Sequence, residues 1–241
     1  VEQGRLTELI ATGAPLHRCL IAITAAIERL CPGLRSAVLV ADRDGRGFEA
    51  GFSAELPPSF AEGVRGAIIE EKAIGTCGTA VFKGEPVECA DIERDPRWAP
   101  EWRAHMRAHG IAACFSQPVP GPEGCSSASL VVCLDEARPA TSRERQLARF
   151  GAQLAALAIE HDLAAARIRE NEARLRSVLD GMAEGHAFLA PDFTILDINA
   201  EGLRLDTRPR DEIVGRTHWE AFPGSDELEI GRVLMRVMAE R

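Results

Sequence analysis

His105 and His109 stand one helical turn apart, a spacing at which two imidazoles can meet a single metal ion. The segment reads His-Met-Arg-Ala-His, without the Glu that metalloprotease chemistry requires. No third ligand is evident, so neither metal nor haem binding is expected. Seven cysteines, Cys19, Cys31, Cys77, Cys89, Cys114, Cys125 and Cys133, offer thiol chemistry. Their count is odd and no two form a C-x-x-C pair, which argues against a zinc knuckle or a disulfide framework. Reduced thiols are the expectation, several of them packing as small hydrophobes. Gly75-Thr76-Cys77-Gly78 could aim backbone amides at a phosphate, but it lacks the Gly-Lys-Ser/Thr ending of a nucleotide loop. A tight glycine turn capped by Thr76 accounts for it.

These groups hang on a chain whose strongest pattern is a ladder with alternating steps of three and four. It runs Leu147, Phe150, Leu154, Leu157, His161, Ala164, Ile168, Asn171, Leu175, Val178. The spacing predicts one long helix over about 142–180 whose seam pairs with a second copy of itself, as a parallel homodimer; the alternative is a long helix lying along its own domain. His161 and Asn171 are polar seam positions, which cost stability but select register and partner number.

Before the ladder, Leu16, Leu20, Ile23, Ile27 and Leu30 mark an amphipathic helix closed by Pro32-Gly33, with a shorter helix ahead of it. Ser36–Ala41 and Phe48–Ser53 read as a hairpin around a turn of Asp, Arg and Gly. Helices are expected over Pro58–Glu71, from the Gly75 turn to Lys83, and from Asp95-Pro96 to His109. Strands are expected at Pro86–Ala90, Ile111–Val119 and Ser126–Leu134. About five strands joined by hairpins and short helices imply an antiparallel sheet with helices on its faces. Beyond Gly181, two strands (His186–Ala190, Thr194–Asn199) precede short helical pieces and a longer helix running from about Glu227 to the last residue, Arg241.

The composition is that of a soluble globular chain: 241 residues, 46% hydrophobic, 27% charged. At net charge −9, with its basic residues scattered, the chain does not read as a nucleic-acid binder. No apolar run is long enough to cross a bilayer and no charged-then-apolar leader precedes the first helix, so no membrane insertion and a cytoplasmic location are expected. Beginning at Val, the chain reads as part of a longer product.

Several short motifs fall in a telling order. They are Gly75-Thr76-Cys77-Gly78-Thr79-Ala80, Pro86-Val87, Asp91-Ile92, Asp95-Pro96-x-Trp98, and Gly110-Ile111-x-x-Cys114-Phe115-Ser116-x-Pro118-Val119. Together they resemble a GAF domain, of the kind found in bacterial histidine kinases and diguanylate cyclases, over residues 15–160. The Thr194–Asn199 strand ending in Asn199-Ala200, Ile213-Val214-Gly215, His218-Trp219 and Phe222-Pro223-Gly224 resemble the first half of a PAS domain.

The resemblance implies an α+β fold: a GAF-like sensory domain over 1–141, a signalling helix over 142–180, and a truncated PAS-like half over 181–241. It places a ligand cavity beside the helix after Asp95, so Cys77, Trp98, Trp102, His105, Met106 and Cys114 are candidate lining residues for a small-molecule ligand. No catalytic residue is assigned. The cysteine-histidine pair that attaches bilin in related domains falls at Glu101 and Trp102, which cannot form the thioether, so covalent bilin is not expected. The implied function is the sensory and dimerisation region of a two-component-type signal-transduction protein, most consistent with a histidine kinase, then a diguanylate cyclase, with a separate output domain. The alternatives are a thiol-dependent methionine sulfoxide reductase, using cysteines such as Cys77, Cys89 and Cys114, or a dimerisation scaffold that takes no ligand.

Overall fold

The computed structural model describes residues 2–71 and 75–240. The chain divides into two compact units, one up to Ala165 and one from Ala166 onward, so the boundary falls inside the long helix.

The first unit is built on five strands: β1 (Arg35–Ala41), β2 (Phe48–Phe52), β3 (Val87–Cys89), β4 (Ala113–Pro120) and β5 (Ser126–Leu134). They form one antiparallel sheet in the order β2-β1-β5-β4-β3. Both faces are covered, and the period-two alternation of a strand divides its residues between two cores. Val38, Val40, Phe115, Val119, Leu130 and Val132 face a helical layer of α1 (Glu2–Ala11), α2 (Leu16–Leu30) and the start of α6 (Ser142–Asp180). Leu39, Cys114, Val131 and Cys133 face the opposite way, toward α3 (Pro58–Val64), α4 (Cys77–Lys83) and α5 (Pro100–Ala108).

Two expected helices are shorter than their sequence suggests. α3 ends at Val64 because the chain leaves it to run beside β2: Gly66 N–H donates to the Phe48 carbonyl and Phe48 N–H to the Ala67 carbonyl. α5 starts at Pro100 rather than at Asp95-Pro96. Ala99, immediately before Pro100, is held extended at φ −68°, ψ 154°, as the proline ring demands. Asp95 instead folds a local turn, accepting from Arg97 N–H at 2.9 Å.

α6 has a capping box: Glu144 N–H donates to Thr141 Oγ1 at 3.3 Å, and Thr141 N–H to Glu144 Oε2 at 2.6 Å. Gly151 sets its closest approach to the sheet. A Cβ there would stand 2.5 Å from Ile27 Cδ1 and 2.7 Å from Leu130 Cδ1. Ala148, Ala152, Ala155 and Ala158 extend this small-residue face, so α6 lies deep in the helical layer.

In consequence the ladder is not one uniform stripe. Leu154 is 4% exposed, packed into its own core, and Leu147 and Phe150 are half-buried against that core. The expectation that Leu154 faces a partner is therefore corrected. From Leu157 onward the ladder emerges: Leu157 is 50%, Ile168 59%, Leu175 63% and Val178 57% exposed, with His161 and Asn171 also exposed. Among the described residues, no helix is long and apolar enough to cross a membrane.

The second unit continues from α6 into β6 (Ala187–Leu189) and β7 (Ile195–Ile198), an antiparallel pair, then α7 (Ala200–Asp206), α8 (His218–Ala221) and α9 (Glu229–Ala239). α9 ends at Ala239, and Arg241, to which the helix was expected to run, lies outside the described residues. The core is small: Ile195, Ile198, Ile213 and Ala221. Asn199 substitutes for missing apolar bulk. Its Oδ1 accepts from His186 N–H at 2.8 Å and Gly202 N–H at 2.9 Å. Its Nδ2 donates to the carbonyls of Leu179 at 2.8 Å and Glu184 at 2.9 Å. One buried side chain thus ties the end of α6 to both β6 and α7.

Candidate functional site

The sheet face turned toward α3, α4 and α5 encloses a cavity in the first unit. Leu39, Cys114, Val131 and Cys133 form its floor, because inward positions on β1, β4 and β5 alternate onto this face. Phe60 and Val64 of α3 form one wall, Trp98, Trp102 and Met106 another, and the Gly75–Gly78 turn closes the end. Gly75 adopts φ +86°, which an L side chain rarely does, and a Cβ there would come 3.1 Å from the six-membered ring of Trp98. That contact lets the turn lie directly on the indole. The space in which a water molecule's centre fits is about 30 Å³, room for about two waters.

The polar end of the cavity is a hydroxyl and thiol group. Thr76 Oγ1 lies 2.7 Å from Ser116 Oγ and 3.2 Å from Cys114 Sγ, and Cys77 Sγ lies 3.2 Å from Ser116 Oγ. Thr76 is thus turned into the cavity and makes no side-chain cap on α4, which corrects its expected role. Burial raises the pKa of Cys77, Cys114 and Cys133 and pushes that of Cys89 up to about 11, so these thiols stay protonated at neutral pH. A protonated thiol is a weak nucleophile and a weak donor.

Five of the six residues singled out from the sequence, Cys77, Trp98, Trp102, Met106 and Cys114, line this one cavity. His105 does not. Its ring stacks on Phe60 at 5.7 Å and meets His109 at 4.5 Å, on the outer side of the wall. Burial first, and the neighbouring His109 second, lower the His105 pKa, so the ring is neutral at physiological pH. His109 is committed elsewhere, with Nδ1 2.8 Å from the His105 carbonyl and Nε2 3.1 Å from Ser59 Oγ. Among the described residues, no three His, Cys, Asp or Glu side chains are placed to hold a metal ion.

Leu39, Phe60, Thr76 and Cys133 also line the cavity; of these only Thr76 was singled out beforehand, and as a helix cap rather than a lining residue. Alternation along β1 and β5 carried the signal for Leu39 and Cys133. Thr76 lies in the Gly75–Gly78 motif already noted, whereas Phe60 arrives through tertiary packing that no local pattern encodes.

Comparison with known proteins agrees with this fold. The model of the GAF domain family matches residues 15–159, and the PAS fold model matches 179–241. A methyl sulfide methyltransferase-associated sensor of Methanosarcina acetivorans is 27% identical over all of this chain, which spans about a quarter (24%) of that protein's length. The GAF domain of a phosphoenolpyruvate-protein phosphotransferase from Coxiella burnetii superposes with a TM-score of 0.52 at 16% identity, covering 69% of this chain and 95% of that one. The free methionine-R-sulfoxide reductase of Neisseria meningitidis, solved with its substrate, superposes with a TM-score of 0.50 at 12% identity, covering 67% and 88%. At such identities these two structures show a shared fold and nothing further. With the larger part of its length matched by one family model, the chain belongs to the GAF domain family and carries a PAS-type segment after it.

Proposed function

We propose that this chain is the sensory and dimerisation region of a signal-transduction protein. A change in the cavity of the first unit is relayed along α6 to the PAS-type unit and on to an output domain. The observation that carries the reading is the change of character along α6. Up to Leu154 the ladder packs into its own domain, and from Leu157 the same spacing leaves apolar residues exposed. An apolar stripe at three-four spacing is what a second helix buries. A second copy of this chain, parallel and in register, presents a matching stripe with Asn171 opposite Asn171. The domain content and the sensor relative favour this reading. A histidine kinase is our preferred parent, then a diguanylate cyclase, and the cytoplasm the preferred location.

Thiol-dependent reduction of methionine sulfoxide is the weaker reading, because it needs a thiolate and burial keeps Cys77 and Cys114 protonated. The test of the assembly is sedimentation of the chain beside an Ile168→Asp, Leu175→Asp variant. Both positions are exposed in the single chain, so the variant keeps its fold. The wild type should sediment as a dimer and the variant as a monomer. A monomeric wild type, or an unchanged dimer in the variant, would refute the proposed seam.

A further inference from the structure

β3 is a three-residue strand at one end of the sheet, and its strand partner among the described residues is β4 alone. A short edge strand is the part of a sheet held by the fewest bonds, and so the part most easily displaced. Its neighbouring residues serve opposite faces, as period-two alternation requires. Cys89 is buried in the cavity-side core, while the Glu88 side chain reaches the start of α6 on the other face.

Two sets of contacts meet at Glu88. On the helical side its carboxylate oxygens accept from Arg145 Nη2 at 2.7 and 2.9 Å, and one of them accepts from Ala140 N–H at 2.6 Å. Arg145 Nε donates in turn to the Ala140 carbonyl at 3.1 Å, so the first turn of α6 closes around Glu88. An isolated exposed ion pair contributes little, but this one is partly shielded and shares its carboxylate with a backbone amide. On the cavity side the Glu88 carbonyl accepts from Arg97 Nη2 at 2.8 Å. Arg97 is fixed by the Asp95 carboxylate, 3.0 Å from its Nε, and Arg103 of α5 donates to the Asp95 carbonyl at 2.9 Å. The residue after Arg97 is Trp98, a wall of the cavity.

Resting on the proposed relay, we infer that Glu88 is a positioning residue that couples the Trp98 wall of the cavity to the first turn of α6. A displacement of the wall carries Arg97 and, through it, the backbone of β3. The Glu88 carboxylate passes that shift to Ala140 and Arg145, a contiguous chain of bonds from cavity to helix. Other contacts at this helix end have a different reach. Arg143 Nη2 donates to the Leu30 carbonyl at 2.7 Å, and Arg138 pairs with Glu144 at 2.8 Å. These anchor α6 to the helical layer and to its own approach segment, whereas Glu88 joins it to the cavity side.

The experiment is a mutant cycle on the full chain, read by hydrogen exchange resolved by peptide. Trp98→Phe perturbs the wall, alone and combined with Glu88→Gln or Arg145→Gln, which break the ion pair from either side. Alone, Trp98→Phe should change exchange of residues 146–152 by about three-fold or more. With the pair broken, adding Trp98→Phe should leave these amides within about 1.5-fold. A merely structural role for the pair would raise exchange in the pair-breaking variants yet keep their response to Trp98→Phe. An equal response with and without the pair would therefore overturn the inference, as would no response of residues 146–152 to Trp98→Phe alone. Protection of β1 and β5 reports an intact sheet, and Arg145→Gln decides the outcome where Glu88→Gln loses that protection. The relay reading fails differently: residues 146–152 would respond through Glu88 as stated, while residues 166–240 would not.

Discussion

Replacing Asn199 by Ala should unlock the second unit while leaving the first intact. The side chain makes four hydrogen bonds, two accepted from the amides of His186 and Gly202 and two donated to the carbonyls of Leu179 and Glu184. Each contributes about 1 kcal/mol net, and truncation strands four backbone partners that water reaches only in part. The Gly202 bond is also the N-cap of α7. Allowing for partial rehydration, the loss is about 3 kcal/mol, a large share of what a core of four buried apolar residues can supply. Hydrogen exchange resolved by peptide is the assay. Amides of β6 and α7 should lose protection on the order of 100-fold, since about 1.4 kcal/mol is a factor of ten, while β4 and β5 keep theirs. Asn199→Asp, which retains both accepted bonds but turns a carboxylate oxygen onto the carbonyls of Leu179 and Glu184, should lose at least as much protection as the Ala variant. Protection of His186 and Gly202 within about three-fold of wild type in the Ala variant would refute the assignment of Asn199 as the tie between α6, β6 and α7.

Two further outcomes test the packing and electrostatics of the first unit. Gly151→Ala drives a methyl group against Ile27 and Leu130 in a closely packed layer, so thermal or denaturant unfolding should show a loss of about 1–3 kcal/mol, and a neutral effect would contradict the close approach. Glu28 is 5% exposed and accepts from Ser36 N–H at 2.8 Å, while its Oε2 has no partner among the described residues. Burial raises its pKa to about 7. Because the folded state holds this proton more tightly than the unfolded chain, its contribution is fully present below the unfolded value of about 4.5. That contribution is lost as pH rises through about 7, so stability should decline between these values by at most about 3 kcal/mol. Glu28→Gln should flatten that decline in denaturant melts; a wild-type profile already flat over the window would contradict it.

Much of this architecture was legible in the sequence, for identifiable reasons. The five strands of the first sheet announce themselves as short apolar runs between Gly and Pro turns. Cys77, Trp98, Trp102, Met106 and Cys114 converge because Trp102 and Met106 share α5, Trp98 sits in the turn just before it, and the two cysteines fall in recognisable motifs. His105 misled because i, i+4 spacing places it beside His109, and spacing alone does not say which side of α5 faces inward. The helix boundaries failed where local preference met a competing partner: β2 draws residues 66–69 out of the expected helix, and Pro100 outcompetes Pro96 as the start of α5. The ladder's two regimes were hidden for a similar reason. Leu154 and Leu157 look alike in a heptad, yet only the tertiary position of Gly151 decides that the first is buried at home. Asn199 stood out only as part of the Asn199-Ala200 motif at a strand end, which does not disclose the four hydrogen bonds it makes.

The central claim is that the state of the cavity reaches the PAS-type unit through α6. Hydrogen exchange across the whole chain, comparing wild type with the cavity-narrowing Met106→Phe, tests it most directly. The account predicts altered exchange along α6 beyond Leu157 and in β6 and α7, far in sequence from the substitution. A change confined to the cavity walls of the first unit, with residues 166–240 exchanging as in wild type, would contradict it.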